Sequence, residues 1–378
     1  MMKALSAQKI LTEEGWRNDL ALVMEGGMIT ALTPLEMLPD DMNIERLAGG
    51  ALVPGFVDIQ ANGGGGVMFN DCTSLADLEK MAKAHRRFGT TSLLPTVISD
   101  DFEVMVRCAA LVSEAIRKGL PGIRGIHFEG PYLNPAKKGV HDAAKLRAVD
   151  PGFFELATQK SLGHVLVTLA PERVLLEDIA LFAGAGIRVS AGHSIADYGT
   201  AKAAFKAGVT GITHLFNAMP PMESRAPGII GAALETADVY CGIIADGHHV
   251  HPATLKAAIG AKGAGHMMLV TDAMATVGTD MTGFSFGGSE ILLKDGRLAT
   301  RDGVLAGSAL DMARAVRNTA GLLGQSEAAA LSMASSVPAA FLGLDAGRIA
   351  VGARADLLLL DNAGSVQKCW IGGQEQPL

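Results

Sequence analysis

Eight short apolar segments recur along the middle of this chain, and four of them end on a residue with metal or proton chemistry. The segments are ALVPGFVDIQ (51–60), TSLLPTV (91–97), IRGIHFEG (123–130), HVLVTLA (164–170), IRVSAGH (187–193), GITHLFN (211–217), YCGIIADG (240–247) and HMMLVTDA (266–273). They lie roughly 20 to 40 residues apart, the repeat of a strand plus a returning helix. Glu129, His193, His214 and Asp272 each fall where a strand ends. Four groups on four separate strands converge only if those strands run parallel around a common axis. That geometry is a (β/α)8 barrel, whose chemistry sits at the C-terminal rim.

Helical patterns fall between most of the strands. SLADLEKMAKAHRRF opens on Ser74 as an N-cap, and SIADYGTAKAAFKAG opens on Ser194 and ends near Gly208. HPATLKAAIGAKG and SALDMARAVRNTAGLLG also read as helices. Residues 131–150 and 218–238 read as long rim loops, which usually carry substrate contacts. The two chain ends look alike: short apolar runs broken by Gly, Pro and Asn-Ala-Gly turns, as in hairpins. Neither end alone could bury a sheet. The expected organisation is a small β-sandwich from residues 1–50 plus 346–378, with the barrel, residues 51–345, inserted between them.

The 378 residues suit a barrel with a small appendage, and 49% hydrophobic content supplies a large core. Net charge is −7 and no basic block occurs, which argues against a nucleic-acid partner. One local Arg or His cluster would still suffice for a phosphorylated substrate. Cys72, Cys108, Cys241 and Cys369 are scattered, with no C-x-x-C, and read as buried thiols of a reducing compartment. The N-terminal residues lack the apolar core of a signal peptide, and no run nears the ~20 apolar residues that span a bilayer. A cytoplasmic protein without a membrane partner is expected.

A catalytic zinc site keeps three protein ligands and one open position. Glu129, His193 and His214 supply that count. Asp272 is then free to take a proton from water and return it to a leaving amine. Metal-assisted hydrolysis is the expected reaction class. The glycines 63–66 could cradle an anion, but such a run more often lets a loop pass close to its neighbours. His85, His164 and His266 lie toward the opposite rim and receive no role, and Lys137 and Lys138 read as solvated, with a substrate-facing role for one of them as the alternative.

The motifs HFEGPYLNPAKKGVHD, SAGHS, THLFNAMPPMESRAPG, IADGHHVHP, LVTDAM and GVLAGSALDM together resemble the N-acetylglucosamine-6-phosphate deacetylase family of the amidohydrolase superfamily. The likeness runs from VPGFVDIQANG to ARADLLLLD. It implies hydrolysis of N-acetylglucosamine 6-phosphate to glucosamine 6-phosphate and acetate by a homodimer with composite sites. It implies the same ligands, Glu129, His193 and His214, and the same acid/base, Asp272. It further implies substrate contacts by His141, by the Asn217-Ala218 backbone, by Arg225 and His249 at the phosphate, and by Leu305, Ala306 and Gly307 in a closing loop. Many superfamily members carry His-x-His after the first strand, where a second metal binds. Here Gln60 and Asn62 stand instead, and amides are poor zinc ligands. One divalent ion per subunit is therefore expected, Zn2+ first, with Fe2+, Mn2+ or Co2+ also suited.

Two other readings share some of these features. The galacto epimer, or the substrate of another amidohydrolase, could use the same metal and Asp. A barrel that had lost catalysis could serve as a scaffold, but it should lack a ligand or the base.

Overall fold

A computed structural model describes residues 2–39 and 42–378. Eight parallel strands follow one another around the barrel in chain order. They are Phe56–Ala61, Thr90–Ile98, Gly125–Glu129, His164–Leu169, Arg188–Ala191, Val209–Ile212, Tyr240–Ile243 and Met267–Leu269. The eighth meets the first just beyond its own end, where Asp272 N donates to Gln60 O and Asn62 N donates to Ala273 O. The carboxylate of Asp58 reinforces this seam. It is fully buried and accepts from Thr271 Oγ1 at 2.5 Å and from the Gln60 amide at 3.2 Å. A buried carboxylate costs free energy unless it is hydrogen-bonded, and this one joins the first strand to the last.

The strand expected over 51–60 divides in two. Ala51–Pro54 pairs with Lys9–Thr12 and with Leu357–Leu360, in a six-stranded sheet built from both chain ends. After Gly55 the chain enters the barrel. A four-stranded sheet of N-terminal segments faces a second hydrophobic cluster, in which Leu5, Leu22 and Ile29 pack with Leu52, Leu357 and Trp370. Residues from both ends therefore share one core. Each side chain fully buried there contributes roughly 1.5–3 kcal/mol of hydrophobic stabilisation.

Local signals set the helices. Ser74 caps Leu75–Arg86 with a reciprocal capping box through Asp77. Ser194 does not cap the next expected helix. Asp197 caps Tyr198–Ala207, while Ser194 Oγ donates to Glu172 Oε2 at 2.6 Å. The acid three residues on takes the cap because Ser194 is held in the turn behind His193. The loop expected over 218–238 contains a helix, Gly228–Glu235, and 131–150 holds two short 3-10 turns.

A further unit lies between the eighth strand and Met312–Gly321. It is an antiparallel meander of Gly283–Phe286, Ser289–Lys294 and Arg297–Thr300. Its inner residues Ile291 and Leu298 pack on Met68, Met274 and Ala306 over the barrel mouth. The glycine run is a close-passage loop. A Cβ on Gly63 would meet Val67 O at 2.5 Å, and His85 Nε2 lies 2.9 Å from Gly63 O. All four cysteines are free and buried, and burial pushes each thiol up to about 12. Among the described residues, no helix is long and apolar enough to cross a membrane.

Candidate metal centre

Glu129 is the last residue of the third strand, so its side chain reaches the mouth directly. His193, His214 and Asp272 lie two or three residues past their strands, at φ of +48°, +32° and +50°. Left-handed backbone at a non-glycine residue costs of order 1–3 kcal/mol and persists only where the surroundings enforce it. Here it turns three side chains inward after the strand has ended.

The result is a tight cluster. Glu129 Oε1 lies 3.2 Å from His193 Nε2 and 3.1 Å from His214 Nε2, and the two Nε2 atoms are 3.0 Å apart. The three groups are buried, and their ligand atoms all lie within 4.8 Å of one another. His193 Nδ1 is 2.8 Å from the Lys137 carbonyl, which can only accept. That bond puts the proton on Nδ1 and leaves the Nε2 lone pair facing inward. One carboxylate oxygen and two imidazole nitrogens in such a cluster match the donor set of a borderline divalent ion. Burial works to raise the Glu129 carboxyl, but the bonds with His193 and His214 hold it well below the usual range. It is thus ionised, as a ligand must be.

Asp272 stands across from this cluster. Burial, then the negative charge of Glu129, pushes its pKa up to about 6. Asn62 Nδ2 donates to Asp272 Oδ1 at 2.7 Å, and Gln60 Nε2 donates to both Glu129 Oε1 (3.0 Å) and Asp272 Oδ1 (3.2 Å). Both amides therefore act as donors to carboxylates. Below lies a polar layer in which Thr96, His127, Thr168, Thr213 and Ser190 form one hydrogen-bonded chain. Burial lowers His127 to about 4, so the layer is neutral and supports Glu129 from beneath.

His141 forms part of the cavity wall. Its Nδ1 accepts from the Ser99 backbone N–H at 3.3 Å and lies 2.9 Å from Ser99 Oγ. Burial, then His193, lowers its pKa to about 3. The ring is neutral, and the accepting Nδ1 puts the remaining N–H on Nε2. His249 also lines the cavity. Its Nδ1 lies 2.7 Å from Asp246 Oδ2, while Asp246 Oδ1 accepts the His248 and His249 amides at 2.8 and 2.9 Å. Its neighbours go elsewhere: His248 is exposed and His251 caps Pro252–Lys262.

The cavity measures about 520 Å³ and is lined also by Asn217, Ala218, Leu305 and Gly307. Two expected contacts fall outside it. Ala306 points into the cluster beneath the meander. Arg225 is exposed and does not line the cavity of its own chain. Two cationic residues also line it, Lys137 as the alternative reading allowed and Arg297 unexpectedly. Lys137 is half-buried, with Nζ donating to Met219 O at 3.2 Å, and Arg297 comes from the meander. A larger hollow of about 800 Å³ lies between Leu11–Gly15 and the segment 332–349. It has no comparable group of titratable side chains.

The amidohydrolase family model matches residues 51–375. The N-acetylgalactosamine-6-phosphate deacetylase of Shewanella sp. is 45% identical over 97% of this chain and 94% of its own length. The N-acetylglucosamine-6-phosphate deacetylase of Haemophilus influenzae is 36% identical over 91% of each. Among solved structures, N-acetylglucosamine-6-phosphate deacetylase from Pasteurella multocida superposes over the full length of both chains, with a TM-score of 0.96 at 35% identity. A mutant of the Mycobacterium smegmatis enzyme, in complex with N-acetyl-D-glucosamine-6-phosphate, has a TM-score of 0.92 at 31% identity over 99% of each chain. With its family model covering the whole barrel and relatives matched nearly end to end, this chain belongs to the amidohydrolase family.

Proposed function

We propose that this chain hydrolyses the N-acetyl group of N-acetylglucosamine 6-phosphate, giving glucosamine 6-phosphate and acetate in amino-sugar catabolism. The observation that carries this reading is the meeting of Glu129, His193 and His214 opposite Asp272. Relatives named for deacetylation of amino-sugar phosphates support the substrate class. We assign one divalent ion per chain to those three ligands, zinc first by donor type, with iron, manganese or cobalt also suited. Bound there, the ion would supply Lewis acidity toward the amide carbonyl and the attacking water.

The chain's own groups do the rest. Asp272 takes the proton of the attacking water and passes it to the departing amine nitrogen. Gln60 and Asn62 hold its carboxylate by donation and fill the place of a second metal site. His141 Nε2–H donates toward the carbonyl oxygen as charge builds there. Asn217 and Ala218 present backbone to the sugar, with Leu305 and Gly307 opposite. His249, oriented by Asp246, meets the phosphate, joined by Arg297 from the meander. Arg225, exposed on its own chain, can keep its phosphate role only by reaching a neighbouring subunit, so the reading requires a homodimer with composite sites. It also places the protein in the cytoplasm, without nucleic-acid or membrane partners, in keeping with a net charge of −7.

One observation favours a second reading. The Shewanella relative named for the galacto epimer is 45% identical, against 36% for the Haemophilus one named for the gluco epimer. Acetate release from both 6-phosphates, before and after chelation, tests both. Chelator-sensitive turnover of the gluco epimer is expected. Turnover confined to the galacto epimer would establish the second reading, and turnover of neither would refute both.

A further inference from the structure

A second concentration of charge lies at the opposite end of the barrel. Arg124 immediately precedes the third strand and His164 begins the fourth. Arg354 comes from the loop that leads into Leu357–Leu360. The three line a hollow of about 340 Å³, floored by the turn Gly119–Ile123 and by Gly163. Glu129 ends the strand that Arg124 precedes. At ~3.3 Å per residue, about 16 Å of extended backbone separates the two positions. The hollow is therefore distinct from the metal centre.

Its charges are poorly compensated. Among the described residues, the Arg124 guanidinium has no ion pair and no hydrogen-bond acceptor, although the residue is half-buried. Arg354 spends only Nε on Asp356, at 2.9 and 3.1 Å, which leaves both Nη groups without an acceptor. The nearby acids are engaged: Asp356 also accepts the Gly372 amide at 2.6 Å, and Asp345 accepts from Arg348 at 2.9 Å. Burial, then the Arg354 charge, lowers the pKa of Arg124. Burial also lowers that of His164, against the opposing effect of a bond to the Leu342 backbone, and the Arg124 and Arg188 charges add to the lowering, so this ring is a neutral wall of the hollow. Two guanidinium groups thus share one concavity, and neither Arg124 nor the Arg354 Nη groups has an acceptor among the described residues. A bound oxyanion would relieve the repulsion between the two guanidinium groups and accept from their free N–H groups. Guanidinium forks suit phosphate oxygens, and the hollow has room for a small organic body beside the phosphate.

We propose that this hollow at the N-terminal face is a binding site for a phosphate group, free or carried on a small metabolite. Arg124 and Arg354 are its principal donors. The assignment does not depend on the deacetylase reading.

Calorimetric titration of the metal-loaded protein with inorganic phosphate and with D-glucose 6-phosphate, at low ionic strength, tests it. The expected result is saturable binding that weakens at least tenfold in Arg124→Gln and persists in His249→Ala, which impairs only the mouth. Tighter binding of the sugar phosphate would identify a metabolite, and equal affinity would identify free phosphate. Superimposable isotherms for wild type and Arg124→Gln would overturn the proposal, as would loss of all phosphate binding in His249→Ala. Should Arg124→Gln fail to fold, wild-type crystals soaked in tungstate give a second reading. An anomalous peak between Arg124 and Arg354 is expected, and a hollow without one at saturating tungstate would refute the site.

Discussion

The two ends of the barrel solve the same backbone problem with different residues. At the N-terminal face the chain must turn sharply into each strand, and it repeatedly uses glycine at positive φ, as at Gly122, Gly163 and Gly208. At the C-terminal mouth glycine is used too, as at Gly130 and Gly307, but left-handed turns also fall on His193, His214 and Asp272. Glycine adopts that backbone without steric cost, whereas a side chain there is strained. Strain is kept where a particular side chain must be delivered, and avoided where only a turn is needed. The mouth is also dense with reciprocal hydrogen bonds, whereas the opposite hollow has donors to spare.

The largest expected effect lies at the mouth. Asp272→Asn should keep metal and substrate binding but lower kcat by about 10²–10⁴, the usual worth of general acid–base catalysis. Stopped-assay acetate release, with metal content measured in parallel, checks it. In the wild type Asp272 must be ionised to act as base. Activity is therefore present above its pKa and lost as pH falls through it, so the acid limb of kcat/KM should lie at or below about 6. A limb well above that value would remove Asp272 from the role. Next, His141→Asn should cost about 10²–10³ in kcat with little change in KM, since its donor matters most as charge develops on the carbonyl oxygen. A change confined to KM would make it a ground-state contact only.

At the other face the same logic predicts loss of stability without loss of chemistry. Gly208 sits at φ +129°, and an added Cβ would lie 2.5 Å from the Ala183 Cβ. Gly208→Ala should lower unfolding stability by about 1–3 kcal/mol, read from the urea midpoint, and leave kcat unchanged. A large fall in kcat would mean the two faces are not separable. The smallest effect should come from Asp246→Asn. Removing the charge that orients His249 should raise KM for the phosphorylated sugar roughly tenfold, the size of one charge-assisted hydrogen bond. Equal loss on an unphosphorylated sugar would refute a phosphate role for His249.

The meeting of Glu129, His193 and His214 was legible because it follows from one periodicity. Once strands and helices alternate, a strand end is a rim position, and the residue there faces the mouth. The meander was missed although Gly287-Gly288 and Asp295-Gly296 mark its two turns. With eight strands already counted, nothing in the local pattern showed a ninth unit folding over the mouth. Arg297 was missed with it. Lys137 reads first as a solvated charge in a linear view, and only the packing of its loop against His193 brings it to the cavity. Ser194 looked like a helix cap because cap chemistry is local, but Glu172, 22 residues away, claims its hydroxyl. Arg225 is the complementary case: its motif points to substrate, yet a single chain leaves it facing solvent.

The account rests on one cation between Glu129, His193 and His214. Anomalous diffraction at the zinc edge from zinc-loaded crystals tests this most directly. A single peak is expected per chain, about 2.0–2.2 Å from Glu129 Oε1 and from both Nε2 atoms, with Asp272 facing it but outside bonding distance. A peak elsewhere, or two full peaks with one held through Gln60 and Asn62, would contradict it.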